Sequence, residues 1–356
     1  MTEAMRTEEM RAWLYDRALP FWAEAGIDPS GAGAWEALEH DGTPQRTRDK
    51  RLRVMPRQAF VFASAGGAYL PLARRLFDFA MARGFDPNTG HLAALLSPEG
   101  EILKAPHDLY DMAFMLLAAA ALTEAGEDVA ADLATLTEKL GWLKAERGWY
   151  ETAEGAAKHP RRQNPHMHLF EASTELYRVT GDAAWRAIAD ECLSLFKEVF
   201  LQGDGRVFEF FNLDWSAAES QAVEPGHMAE WIWLLHRYEV ATGESAGVDL
   251  NAVWAATLKG QDASGLLYDS SEPLSETRRL WPQTELLKAS LVVGGTGDMT
   301  PERIAARLYA EYLDTEVPGG WYDKRRISDG ALISTDMPSS TFYHLYVAAV
   351  AFLEAA

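Results

Sequence analysis

Cysteine is nearly absent from this chain of 356 residues: Cys192 stands alone. No disulfide within the chain and no cysteine-based zinc site can form, which suits a reducing, cytoplasmic setting. Positive charge is also scarce. Lys and Arg number 33 against 53 Asp and Glu, a net charge of −20, and such a surface repels phosphate backbones, so nucleic acid is excluded as a default partner. Long apolar runs are missing as well. The longest extends from Met112 to Leu122, well short of the roughly 20 residues that cross a bilayer. The first thirty residues hold no apolar signal core, so no membrane partner is expected. Phosphate-loop and nucleophile-elbow patterns do not occur in usable form: Gly294-Gly295-Thr296-Gly297-Asp298 follows a helical run, not a strand, and reads as a helix stop. What the chain has in quantity is apolar residues, 48% against 24% charged, enough for a large folded core.

A repeat organises that material. Six apolar helical segments open on a short polar or proline-containing signature, at Arg57, Leu109, Pro165, Pro225, Pro282 and Ser340, with spacings of 52, 56, 60, 57 and 58 residues. Five of them run to a glycine, at Gly67, Gly126, Gly181, Gly243 and Gly297, and glycine past a helix end supplies the left-handed conformation that stops it. A second helix follows each glycine, often behind an acid such as Asp182 or Asp298 that favours its N-terminus. The helix near 7–24 has no partner before it and is complementary to the final helix near 340–355. Helix pairs suit either an open solenoid or a closed ring. The long unit, the complementary ends and the one-sided long segments favour closure. The reading is an all-α (α/α)6 barrel of about twelve helices, one domain over residues 1–356.

Long segments precede the signature helices, and four carry a glycine, an aromatic and an acid: Gly148 to Glu151, Gly205 to Glu209, Gly265 to Asp269 and Gly320 to Asp323. They read as short β-hairpins or extended loops gathered on one rim, and connections of this length are usually functional. The polar signatures then cluster at helix N-termini around a common mouth, where free N–H groups and the positive end of the helix dipole favour anionic intermediates. The candidates there are His227 with Glu230, His344, Asn164 with His168, and Arg57, Tyr110, Asp111, Trp281, Gln283 and Glu285. His227 and Glu230 are three apart on one helix face, so Glu230 is placed to orient the imidazole. Asn164 and His168 share a face, whereas His166 points elsewhere. Three of the nine histidines fall at equivalent repeat positions.

His166-x-His168 and His227-x-x-Glu230 each offer two metal ligands, but no local spacing supplies a third, so neither a metal nor another cofactor is expected. Twelve tryptophans and twelve tyrosines, several in the rim, suit stacking on sugar faces. Bases also recur in the rim: Arg46, Arg48, Lys50, Arg51, Arg53, Arg161, Arg162, Arg278, Arg279, Lys324, Arg325 and Arg326. They form either a positive mouth for a phosphorylated or sulfonated sugar or, the favoured reading, solvated loop charges paired with Asp49, Glu276, Asp323 and Asp329.

In combination these motifs resemble the N-acylglucosamine 2-epimerase superfamily. They comprise Arg57-Gln58, Leu109-Tyr110-Asp111-x-Ala113-Phe114, Asn164-Pro165-His166-Met167-His168, Glu224-Pro225-Gly226-His227-x-x-Glu230-Trp231, Trp281-Pro282-Gln283-x-Glu285 and Ser339-Ser340-Thr341-x-Tyr343-His344. The fourth and fifth look most like the mannose and sulfoquinovose isomerase branch. The resemblance implies the same barrel and His227 and His344 as an acid/base pair. It also implies a small-molecule sugar bound by Arg57, Tyr110, Asn164, His168, Glu230, Trp281 and Glu285, in a monomer or homodimer. Some isomerases of the family carry a substrate-binding arginine where this chain has Ala217. The expected chemistry is metal-independent interconversion of an aldose such as mannose with fructose through a cis-enediolate. In this scheme His344 shuttles the proton between C2 and C1, and His227 serves ring opening and the O1/O2 protons. The alternatives are a sugar 2-epimerase using the same histidines, an isomerase of a phosphorylated or sulfonated sugar, a glycoside hydrolase built on two opposed carboxylates drawn from Asp111, Glu230 and Glu285, and a non-catalytic sugar-binding protein.

Overall fold

A computed structural model describes residues 5–154 and 160–356. Its first rod is α1 (Thr7–Arg11), which continues through a π-helical stretch, Ala12–Ala18, into α2 (Leu19–Glu24). Then follow α3 (Val54–Ala65), α4 (Leu70–Arg83), α5 (Leu109–Glu124), α6 (Ala130–Gly141), α7 (Gln163–Thr180) and α8 (Ala183–Leu195). The second half contributes α9 (Pro225–Thr242), α10 (Leu250–Leu258), α11 (Trp281–Val293), α12 (Pro301–Leu308) and α13 (Phe342–Glu354).

The signature helices α3, α5, α7, α9, α11 and α13 pack each on the next, and α13 returns to α3. That contact closes the inner ring of an (α/α)6 barrel. Composition explains the inner position. Every residue of α5 from Asp111 to Leu122 is buried, and a helix apolar all round finds no solvent-facing place in a soluble fold. The outer helices are two-faced: on α8, Trp185, Ala189, Cys192 and Leu195 are buried while Arg186 and Asp190 form an ion pair on the outside. As the repeat predicts, α1 lies against α13 and supplies the missing outer partner.

Helix ends follow the expected chemistry with two shifts. Asp182 accepts the Ala184 N–H at 2.9 Å and caps α8, and Gly181 and Gly243 end α7 and α9 in the left-handed conformation. The first and fifth stops are Gly66 and Gly294, not Gly67 and Gly297. In consequence α12 begins at Pro301 behind Thr300, and Asp298 pairs with Arg303 instead of capping it.

The rim segments correct the hairpin expectation in part. Gly148, Gly205 and Gly265 do sit at tight bends with positive φ, closed by the bridges Lys144 to Trp149, Leu201 to Val207 and Gln261 to Leu267. The ladders, however, mostly join different repeats. β1 (Ala37–Glu39) pairs with β9 (Asp336–Pro338), β5 (Arg161–Arg162) with β6 (Phe210–Phe211), and β7 (Thr277–Arg279) with β8 (Lys324–Arg326). β2 (Lys50–Arg51) adds to a local hairpin of β3 (Leu95–Leu96) and β4 (Ile102–Lys104). The first and last rim segments are thus tied by β1 and β9, which seals the mouth where α13 meets α3. No described helix is long and apolar enough to cross a membrane.

The same seam depends on Gly319. Its φ is +88°, and a Cβ there would stand 2.7 Å from the Ala18 nitrogen and the Arg17 carbonyl carbon, both backbone atoms. Its carbonyl accepts from Trp22 Nε1 at 3.1 Å, and Trp22 stacks on Trp321 with centroids 4.2 Å apart. Gly181 also has positive φ, but open space surrounds its Cβ direction. Gly319→Ala is therefore expected to cost about 2 kcal/mol or more, and Gly181→Ala about 1 kcal/mol. Thermal melts of the two variants check this; equal losses would contradict the close approach.

Candidate active site

The N-terminal ends of the inner helices surround a cavity of about 340 Å³. Eight of the nine site residues that the family resemblance implies line it: Arg57, Tyr110, Asn164, His168, His227, Glu230, Trp281 and His344. Glu285 does not. It is fully buried behind His344, whose Nδ1 lies 2.8 Å from Glu285 Oε1. Gln283 and His166 likewise serve the frame: Gln283 bonds the Leu267 backbone, and His166 bridges the Arg162 carbonyl and the Trp149 N–H.

The residue that orients His227 is Glu209, not Glu230. Glu209 Oε1 lies 2.8 Å from His227 Nδ1, and Glu224 Oε2 is 3.6 Å from the same nitrogen. Gln163 at the start of α7 donates to both Glu209 oxygens at 3.1 and 2.9 Å, and Trp231 Nε1 in turn donates to Gln163 Oε1 at 2.8 Å. Burial opposes the charge on His227, yet the Glu209 and Glu224 carboxylates outweigh it and push the imidazole up to about 10. His227 is then an imidazolium at neutral pH. Its Nε2 lies 2.9 Å from the Asn164 side-chain amide. An imidazolium N–H needs an acceptor there, so the Asn164 oxygen, left without a partner when the amide nitrogen faces the ring, is the atom that belongs opposite it.

His344 is shifted the other way. Burial lowers it to about 4 despite the bond to Glu285, so it is neutral at pH 7 with Nδ1–H donating to the carboxylate and Nε2 left as an acceptor. The Trp281 ring contacts both histidines, its centroid 5.0 Å from His227 and 5.6 Å from His344. Arg57 donates to Tyr110 Oη at 2.5 Å and to the Ser340 carbonyl at 3.0 Å, with its guanidinium 4.0 Å from the Phe114 ring centroid. His168 Nδ1 lies 3.1 Å from Glu171 Oε2. Glu230 is buried with both oxygens unpartnered by protein, and burial, then the nearby Glu285 charge, pushes its carboxyl well above the ordinary range. Arg57 Nε and the Glu230 oxygens are buried polar atoms of cavity-lining residues without protein partners. Such atoms are where the hydroxyls of a ligand would bind.

Among the described residues, three groups bring His and acid ligand atoms within 4.8 Å: His168 with Glu171 and Glu230, Glu209 with Glu224 and His227, and Glu230 with Glu285 and His344. In each group the histidine Nδ1 is already bonded to a carboxylate of that group, so those two atoms share a proton. Two opposed carboxylates for glycoside hydrolysis are not assembled from Asp111, Glu230 and Glu285: Asp111 is held by Arg53 at 2.7 Å, and Glu285 faces His344.

Apart from Arg46, which lies over the Trp35 ring, the bases of the rim are paired, though mostly with partners other than those expected. Arg48 holds Asp336, Lys50 Asp28, Arg51 Glu36, Arg161 Glu151, Arg278 Asp262 and Arg279 Asp269. Of the four acids named from sequence, Asp329 takes Arg326 at 3.0 Å, and Asp323 instead accepts from Thr341.

The geometry makes Glu209→Gln a specific test. Loss of that carboxylate is expected to lower the His227 pKa by about one to three pH units, seen in histidine 15N shifts, while Glu230→Gln leaves it close to the wild-type value. The reverse ranking would restore Glu230 as the orienting group.

Comparisons with known proteins agree with this architecture. The sequence model of the N-acylglucosamine 2-epimerase (GlcNAc 2-epimerase) family matches residues 33–348. A mannose-6-phosphate isomerase of Rhizobium meliloti (strain 1021) is 34% identical, covering 97% of this chain and 96% of its own. A D-mannose isomerase of Thermobifida fusca is 29% identical over 88% of this chain and 86% of its own. In fold, a D-mannose isomerase structure superposes with a TM-score of 0.86 at 18% identity, covering 99% of this chain and 98% of its own. The cellobiose 2-epimerase of Spirochaeta thermophila DSM 6192 gives 0.84 at 22% identity, covering 98% and 96%. With a closed ring of six inner helices, a histidine-lined mouth and a family match over most of its length, this chain belongs to the N-acylglucosamine 2-epimerase family.

Proposed function

We propose that the chain is a metal-independent aldose–ketose isomerase that interconverts a mannose-type sugar with fructose, carried out by one barrel domain over residues 1–356. The observation that supports this best is the pair of imidazoles at one cavity with opposite protonation, His227 pushed up to about 10 and His344 lowered to about 4. Titratable groups driven apart by their surroundings mark an acid and a base. Relatives named for mannose or its 6-phosphate supply the sugar skeleton.

In this reading His227, already an imidazolium, protonates the ring oxygen as the sugar opens and afterwards manages the O1 and O2 protons. His344 Nε2 takes the proton from C2. Electrons of that C–H bond form the C1–C2 double bond while the C1=O π pair moves onto O1, and the resulting cis-enediolate takes a proton at O1 from His227 to become the enediol. The same nitrogen returns its proton to C1 as the O2 hydroxyl proton leaves, giving the ketose. Arg57 sets positive charge beside the developing oxyanion. The buried, largely neutral Glu230 carboxyl and the Asn164 amide take sugar hydroxyls, and Trp281 covers an apolar sugar face. Return of the proton to C2 from the opposite face would make the enzyme a 2-epimerase. Rim cations already matched by acids favour an uncharged sugar over a phosphorylated or sulfonated one.

Incubating chelator-treated protein with mannose in D2O and following it by NMR tests this reading. Fructose with deuterium at C1 is expected, with turnover unaffected by chelation. Glucose with deuterium at C2 would assign epimerisation, and turnover only of mannose 6-phosphate would overturn the neutral-sugar choice. His227→Ala and His344→Ala are each expected to lower kcat by about 10³-fold or more with helical circular dichroism intact.

A further inference from the structure

Beneath the cavity floor the barrel axis holds a second polar layer. Glu171 of α7, Glu230 of α9, Glu285 and Lys288 of α11 and Tyr343 of α13 are all buried. Tyr343 donates to Glu171, which also holds His168. Lys288 is fully buried one turn below Glu285, with its Nζ 2.6 Å from Glu285 Oε2. Removing an ammonium from water is costly, and it persists only where a charge partner repays it. Here the partner is the carboxylate whose other oxygen holds the His344 ring.

The molecule contains its own comparison. Both His227 and His344 are bonded through Nδ1 to a carboxylate at 2.8 Å. The two dyads differ in what grips that carboxylate from behind. For Glu209 it is the neutral amide of Gln163; for Glu285 it is the ammonium of Lys288. Around the first dyad the additional charge is negative, from Glu224. Around the second it is positive, since Arg57 of α3 acts on His344 from the cavity side together with Lys288. The facing acids temper this little: burial holds the Glu230 carboxyl toward its neutral form, and the Glu171 charge is engaged by His168 and Tyr343.

We propose that Lys288 is a positioning residue that assigns the base: its charge, carried through Glu285, keeps the Glu285–His344 dyad free of an extra proton in the working pH range, whereas the amide of Gln163 leaves the Glu209–His227 dyad protonated. This rests on the reading of His344 as the base. The sign follows from Coulomb's law. Taking away a cation makes proton uptake by the dyad easier, so the dyad titrates at higher pH and activity is lost earlier on acidification.

Lys288→Gln gives the second dyad the amide of the first. The acid limb of kcat/KM is expected to rise by about one pH unit or more, with the alkaline limb and the KM at high pH near wild type, and Lys288→Arg is expected to restore the profile. An acid limb unmoved in Lys288→Gln would overturn the proposal. Histidine 15N titration of the same variants reads the dyad without turnover: an upward shift at His344 is expected, and none would overturn the proposal even if the isomerase reading itself failed for want of a product from wild-type enzyme. Should Lys288→Gln not fold, Gln163→Lys applies the rule in reverse. The His227 pKa is expected to fall by about one pH unit or more, and an unchanged value would overturn the proposal.

Discussion

The site depends on a carboxylate standing behind each of two imidazoles. Neither bond is local. Glu209 lies on the rim and reaches a helix that starts sixteen residues later, and Glu285 and His344 meet across adjacent inner helices, 59 positions apart in the chain. Packing of α11 on α13 brings Glu285 to His344, and closure of α13 onto α3 completes the ring of signature helices around one mouth. A carboxylate and an imidazole buried together lose much of their hydration. The apolar inner helices, α5 above all, supply the burial that keeps such groups in place. The seam at Gly319, Trp22 and Trp321, together with the β1–β9 ladder, holds the first repeat to the last.

Two dyads of the same length are thereby given opposite roles by their surroundings. His227 sits among acids that outweigh its burial and is held as a cation; His344 is held neutral by burial, with the charges of Arg57 and the buried Lys288 acting in the same direction. Trp281 packs against both rings at the cavity wall. In the proposed reaction this division supplies an acid and a base before substrate arrives.

Much of this was legible in the sequence because it repeats. All six signatures fall at or within a few residues of an inner-helix start, and the helix-stopping glycines at 181 and 243 are those observed. The errors at Gly67 and Gly297 arose where two glycines lie close together, and either can accept positive φ. Rim strands were harder. A two- or three-residue strand that pairs with a segment some fifty residues away carries no local pattern, so the β5–β6 and β7–β8 pairings gave no signal beside the glycine bends. Among the site residues, identity was easier than role. Glu209 was visible as the acid of a rim motif, but its meeting with His227 depends on how the rim folds over α9. Glu230 shares a helix turn with His227, yet its side chain enters the axis beside Glu285 and leaves Nδ1 to Glu209. Lys288 gave no signal, since a lysine one turn beyond Glu285 looks like any solvated helix residue.

The central claim is that one imidazole enters the reaction charged and the other neutral. Titrating the wild-type protein with 15N-labelled histidine, with His227→Gln and His344→Gln used to assign the two rings, tests it most directly. At pH 7 the account predicts that both nitrogens of His227 carry protons and that His344 shows one protonated and one bare nitrogen. Both rings neutral, or the opposite assignment, would contradict it.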